Sequence, residues 1–200
     1  MLGNFLILTA AYQGNITELM FMLVCFFILL NIYGVLIFPL NFQGLMLVIW
    51  GKLYITCLLA HFFWLRALNN GFFLFLGVLL ATWASDTGAY ACGLTLGKHK
   101  LIPAVSPKKS VEGAIGGILF AGIVLTFLAP LLGMSRLQAA IIGVFISLVG
   151  QTGDLAESAF KRWCNAKDSG TFLPGHGGVL DRLDSLLFAV PAAYYFFLFC

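Results

Sequence analysis

Residues 147–185 read SLVGQTGDLAESAFKRWCNAKDSGTFLPGHGGVLDRLDS, and they hold nearly half of the chain's ionisable residues between two apolar runs. Asp154, Glu157, Ser158 and Lys161 fall at i, i+3, i+4 and i+7, the spacing that aligns side chains on one face of a helix. Two carboxylates, a hydroxyl and a cation then share a stripe. Asp181, Arg182, Asp184 and Ser185 repeat the pattern at the start of the next apolar run, and a polar loop from Lys167 to Gly178 joins the two. Two apolar spans meeting at one charged face is the arrangement this pattern predicts. Its simplest chemistry is a divalent cation holding a phosphorylated substrate, because hard cations take oxygen ligands and keep positions open for phosphate.

Working outward, composition sets the solvent. The 200 residues are 61% hydrophobic and 10% charged, with 20 Phe, and that excludes a soluble domain, which needs far more polar surface to cover a core of this size. A mean hydropathy of +1.00 agrees. The 22 glycines suit packed membrane helices, where small residues let backbones approach. A formal charge of +3 with cations confined to loops offers no stripe for nucleic acid, so none is expected as a partner. Cys25, Cys57, Cys92, Cys164 and Cys200 lack metal-ligand spacing and read as small apolar fillers.

A spanning helix needs about 20 apolar residues. Leu19–Pro39, Leu45–Leu65, Phe72–Leu96, Gly113–Leu132, Leu137–Glu157 and Leu183–Cys200 come close to or meet that length. The expected fold is therefore all-α, a polytopic integral membrane protein with about six transmembrane helices and two polar cytoplasmic loops. Leu2–Tyr12 is apolar but short for a span, which suggests a chain that begins part-way through its N-terminal region. Lys98, His99, Lys100, Lys108 and Lys109 crowd one loop, and Lys161, Arg162, Lys167 and Arg182 the other. Two helices separate these loops, so they share a side, and the excess of Lys and Arg assigns that side to the cytoplasm.

Three further motifs carry chemistry. Asp86, in SDTGAY, is either an acid inside a membrane helix, which is costly enough to imply function, or a cap where the helix ends near Ser85. Ser106 followed by Pro107 reads as a helix N-cap with proline in the first turn, whose free N–H groups, beside Lys108 and Lys109, would hold an anion. Gly113 and Gly117 form a GxxxG pair suited to helix packing. In the main loop, Gly175, Gly177 and Gly178 give the backbone freedom to form an anion-holding nest, with His176 as a phosphate contact or a structural hydrogen bonder.

Taken together, SAFKR at 158–162, KDSG at 167–170, LPGHGG at 173–178 and DRLD at 181–184 resemble the signature of the phosphatidate cytidylyltransferases, or CDP-diacylglycerol synthases. SDTGAY at 85–90 and SPKKSVEG at 106–113 resemble that family's upstream motifs. The resemblance implies transfer of a cytidylyl group from CTP to phosphatidate, giving CDP-diacylglycerol and pyrophosphate. It also implies magnesium dependence, with a second cation as a further option, and a homodimer in a bacterial inner membrane with its active site facing the cytoplasm. Members of that family carry additional N-terminal helices, so a shortened member or a fragment is expected. Residues 1–200 then form one membrane-embedded cytidylyltransferase domain, with N-terminal helices over 1–70 and the catalytic part over 71–200.

On this reading Asp154 and Asp181 are the principal metal ligands, with Glu157 and Asp184 as further ligands or their supports. Lys161, Arg162, Lys167 and Arg182 grip triphosphate or lipid phosphate, and Lys108 and Lys109 serve the second substrate. Asp168 orients Lys167 or binds nucleotide, while Ser106, His176, Gly177 and Asp86 complete the substrate-binding set. Competing readings are a CTP-dependent polyprenol or phytol kinase and, from another class, a cation-coupled transporter. The transporter would need charges near the membrane midplane and an internal repeat, whereas these charges cluster at one face.

Overall fold

The computed structural model describes residues 8–9, 11–12, 16–36, 42–166, 168–170 and 178–199. In lipid every backbone polar group must be satisfied within the chain, and helices do this segment by segment. The helices are α1 (Ile16–Leu36), α2 (Phe42–Gly51), a π-helical stretch Lys52–Cys57, α3 (Leu58–Ala67), α4 (Gly71–Leu96), α5 (Val111–Leu132), α6 (Arg136–Trp163) and α7 (Leu180–Phe199). Between α4 and α5 lies a short antiparallel ribbon of β1 (Lys100–Ile102) and β2 (Ser106–Ser110). Among the described residues five segments are long and apolar enough to cross a membrane, namely Gln43–Ala67 and the whole of α4, α5, α6 and α7. A shorter apolar helix, Leu19–Tyr33, joins them. The protein is thus an all-α polytopic membrane protein, to which the ribbon is an addition.

The chain falls into two compact units, Met1–Asn69 and Asn70–Cys200. In the first, Ala11, Leu19 and Ala60 form a small core flanked by Met22, Leu23 and Trp64, and the Trp64 indole N–H donates to the Ala11 carbonyl at 3.1 Å. Lys52 does not stand alone in lipid, because its ammonium lies 4.2 Å from the centre of the Phe26 ring.

The second unit is a four-helix bundle in which α4 packs on α5, α5 on α6 and α6 on α7, with α4 also reaching α6 and α7. Small residues set its spacing. A Cβ added to Gly113 would lie 2.7 Å from the Ala89 carbonyl, and one on Gly117 would lie 2.7 Å from the Ser85 carbonyl. The GxxxG pair therefore brings the α4 and α5 backbones together. Gly143 does the same between α6 and α5, where a Cβ would meet the Ala121 carbonyl and the Gly122 Cα at 2.8 Å each. Gly153 does so between α6 and α7, against the Asp184 carbonyl at 2.7 Å.

At one end of the bundle the turns are tight. Gly133, at φ 71°, adopts the left-handed conformation that closes α5, and Ser135 with Gln138 forms a capping box that starts α6. Asn70, at φ 60°, donates its side-chain amide to the Leu131 carbonyl at 3.1 Å and ties α4 to the same end. By connectivity the ribbon and the α6–α7 loop emerge together at the opposite end.

Three sequence boundaries move, and each move matters for the site. The helix expected to start at Ser106 begins at Val111, and Ser110 is the cap, accepting from the Gly113 N–H at 3.2 Å. Residues 106–110 are extended because they pair with β1, Lys100 against Ser110 and Ile102 against Ser106, and Pro107 sits on this two-stranded edge, where a missing N–H is tolerated. Helix α4 ends at Leu96, as its apolar run predicts, so of the two readings of Asp86 the structure has the one inside a spanning helix. Helix α6 continues past Glu157 to Trp163, and α7 starts before Asp181, so the charged pairs sit on helices.

Gly143→Ala forces a methyl group against backbone atoms that cannot turn aside, and it is expected to destabilise the bundle by about 1–3 kcal/mol in detergent unfolding measurements. Gly51→Ala is expected to be neutral or slightly stabilising in the same assay, since nothing lies within 4 Å of a Cβ there.

Candidate active site at the loop end of the bundle

The ribbon delivers one lysine to the helix bundle. Lys109 reaches from β2 to form an ion pair with Asp154 Oδ2 on α6, and both side chains are 28% exposed. One turn further along α6, the Ser158 hydroxyl donates to Asp154 Oδ1 at 3.4 Å, as the i, i+4 spacing requires. Asp86 from α4 and Asp184 from α7 both interact electrostatically with Asp154 and with Lys109, and with each other. Carboxylates from three helices thus lie within electrostatic range of one ammonium, and Asp154 is the one it contacts. Asp184 also accepts from the Ser185 N–H at 2.6 Å.

A second charged group lies beside the first. Lys161 on α6 pairs with Glu157 Oε2 and, at 2.6 Å, with Asp181 Oδ1 on α7. Asp181 Oδ2 accepts from the Ser169 N–H at 2.9 Å, the Ser169 hydroxyl at 2.8 Å and the Gly178 N–H at 2.6 Å. This aspartate therefore closes the loop between α6 and α7 at both of its described ends. Glu157 is 1% exposed, and the Lys161 ammonium forms an ion pair with it. Its two oxygens have an ion-pair neighbour but no directed donor among the described residues.

Below the charged layer a buried polar knot fixes the helices. The Ser85 and Ser147 hydroxyls are 2.7 Å apart, and Gln151 Nε2 donates to the Ala114 carbonyl and to Ser147 Oγ, each at 3.1 Å. These contacts join α4, α5 and α6 next to Asp86 and one turn before Asp154. Its sequence signal is a pair of polar residues, Ser147 and Gln151, at i, i+4 within an apolar run.

The expected site residues therefore divide. Asp154 gathers with Lys109, Asp86 and Asp184, whereas Asp181 gathers with Lys161 and Glu157, and no contact joins Asp154 to Asp181 among the described residues. Lys108 and Lys109 separate because neighbouring strand residues point to opposite faces: Lys109 is half-buried toward Asp154 and Lys108 is exposed. Ser106 is half-buried in β2. Arg162 donates toward the Val105 and Ala166 carbonyls at 3.5 Å each, so it links the ribbon turn to the end of α6. Arg182 and Asp168 are exposed near the loop. Lys167, His176 and Gly177 lie outside the described residues.

A hard divalent cation takes oxygen ligands, and Asp86, Asp154 and Asp184 are all-oxygen donors facing a positive charge. They fit such an ion in kind. Among the described residues no three acidic, histidine or cysteine side chains are drawn together into a finished metal-binding group.

Lys161→Met removes the ion-pair partner of a buried carboxylate. It is expected to cost about 3–5 kcal/mol in detergent unfolding, and combining it with Glu157→Leu is expected to restore most of that loss, since an apolar pair needs no charge partner.

The sequence profile of the Cytidylyltransferase family matches residues 2–200. The chain is 50% identical over 115 residues to a Bacillus subtilis phosphatidate cytidylyltransferase, a match covering 56% of this chain and 43% of that one. It is 43% identical over 135 residues to the Staphylococcus aureus phosphatidate cytidylyltransferase, covering 66% of this chain and 52% of the other. An uncharacterised Escherichia coli protein, YnbB, is 40% identical over 159 residues, covering 76% and 53%. The chain spans about half the length of the curated relatives it matches. With the profile matched from residue 2 to residue 200, this chain belongs to the cytidylyltransferase family.

Proposed function

We propose that the chain transfers a cytidylyl group from CTP to phosphatidate, producing CDP-diacylglycerol and pyrophosphate. The observation that carries this reading is the ion pair of Lys109 with Asp154 at one end of a membrane-spanning bundle, with Asp86 and Asp184 within electrostatic range of both. A site there can reach a lipid headgroup and a water-borne nucleotide together. The names of the Bacillus and Staphylococcus relatives support the substrate pair.

The phosphate of phosphatidate is ionised at neutral pH, so its oxygen needs little general-base help to attack the α-phosphorus of CTP. A new P–O bond forms there as the bond to the β-phosphate oxygen breaks, and pyrophosphate leaves with the electron pair. Two polyanions must meet, so charge neutralisation is the main task. Lys109 and Lys161 are the ammonium groups built into the bundle end, and each is already held by carboxylates that fix its direction. A triphosphate would draw them away from those partners. Arg162 and Arg182 flank the same end as further phosphate contacts.

Asp154, with Asp86 and Asp184, would hold magnesium, and when bound that ion supplies positive charge to the triphosphate oxygens. Asp181, whose oxygens are engaged by Lys161, Ser169 and Gly178, would join only by releasing one of them. Its proposed part is to shape the loop and aim Lys161. The reading further includes a homodimer in a bacterial inner membrane with this end on the cytoplasmic side, in keeping with the cations of the ribbon and the α6–α7 loop.

Purified protein given CTP labelled at the α-phosphate, phosphatidate and magnesium is expected to move label into lipid, and to stop doing so with chelator. Label entering lipid only from γ-labelled CTP would contradict the reading in favour of a lipid kinase. Asp154→Asn is expected to lower turnover at least about 100-fold, with the protein still folded by detergent size-exclusion chromatography. Near-normal turnover would remove Asp154 from the site.

A further inference from the structure

The side chains of the ribbon differ in what they meet. Lys109 reaches Asp154, whereas Lys98, Lys100, Ile102 and Lys108 are exposed on a ribbon whose register is irregular between its two pairs, Lys100 with Ser110 and Ile102 with Ser106. Ile102 is a 41% exposed aliphatic side chain, while Ser110 at the base of the ribbon is buried. None of Lys98, Lys100 and Lys108 has a side-chain partner among the described residues. By contrast, Lys109 and the base of the ribbon are fully engaged. Lys109 pairs with Asp154, and Glu112 at the start of α5 accepts from the Lys98 N–H at 3.1 Å and from the His99 N–H at 3.2 Å.

The depth of the ribbon follows from the helices. Helix α4 has 26 residues and α6 has 28. At about 1.5 Å per residue both exceed a hydrocarbon core of about 30 Å, so the ribbon that follows α4 emerges at the headgroup layer. Trp163, 63% exposed at the end of α6, and Tyr90, 70% exposed in the last turns of α4, are aromatics of the kind that settle at that interface.

We propose that the exposed side chains of the β1–β2 ribbon and the residues leading into it dock onto anionic phospholipid headgroups, with Lys98, Lys100 and Lys108 on the phosphates and Ile102 at the acyl boundary. The charge complementarity is one-sided, since no acidic side chain lies between Lys98 and Ser110. The docked ribbon would hold the surface at which an anionic lipid reaches Lys109. This goes beyond the chemistry proposed above and does not depend on it.

Hydrogen–deuterium exchange of residues 98–110, followed by mass spectrometry on the full chain in nanodiscs, tests the proposal without any activity measurement. Replacing part of a phosphatidylcholine bilayer with phosphatidylglycerol is expected to slow exchange across this segment by about fivefold or more, and raised salt is expected to reverse the slowing. Combined Lys98→Gln, Lys100→Gln and Lys108→Gln is expected to abolish the difference, while arginine at the same three positions retains it. Equal exchange in neutral and anionic bilayers would overturn the proposal. Slowing by phosphatidate but not by phosphatidylglycerol would also overturn it, by making the ribbon a substrate site and not a docking surface.

Discussion

An ammonium and a carboxylate at the end of a membrane bundle each carry a heavy desolvation cost unless they meet, and the contact between Lys109 and Asp154 meets that condition across the fold. It joins the ribbon after α4 to the last third of α6, so it exists only when four spans are correctly stacked. The glycine contacts make that stacking possible. Gly113 and Gly117 bring α5 onto α4, and Gly143 and Gly153 seat α6 between α5 and α7. Backbones that stood further apart would leave Asp86, Asp154 and Asp184 out of one another's reach. The serine and glutamine knot beneath them fixes the rotation of α4, α5 and α6, because its hydrogen bonds are directional and largely shielded from water.

Charge at this end is organised into two groups with different character. Around Lys109 the carboxylates are half-buried or exposed and outnumber the cation, which leaves a surplus of negative charge open to a small positive ion. Around Lys161 the carboxylates are locked: Asp181 is engaged by loop donors and Glu157 is buried. The first group suits binding and exchange, and the second suits holding a loop in shape. A phosphate-bearing ligand arriving between them would meet an ammonium on each side.

The apolar periodicity made the helices legible, because a span in lipid has few alternatives to a continuous helix. The stripe of Asp154, Glu157, Ser158 and Lys161 was legible for the same reason, and its i, i+4 contacts are present. What could not be read from local pattern was pairing between distant segments. Ser106 and Pro107 satisfy the rules for a helix start, yet the ladder with β1 competes for the same backbone and wins, and the true cap is Ser110. Without the ribbon Lys108 and Lys109 form one doublet in sequence, whereas in the strand Lys109 meets Asp154 and Lys108 is exposed. In the same way Asp154 and Asp181 looked like natural partners by sequence symmetry. Which neighbour each acid meets depends on helix rotation, and that is set by glycine contacts with no charge signature of their own.

The central claim is that one face of the ribbon turns Lys109 into the bundle end against Asp154. Paired cysteines at 109 and 154, in a chain otherwise free of cysteine and held in membranes, would be treated with a short bifunctional thiol reagent and compared with a pair at 108 and 154. Cross-linking of the 109–154 pair well ahead of the 108–154 pair is the predicted result, and equal cross-linking of the two pairs, or none at 109–154, would contradict it.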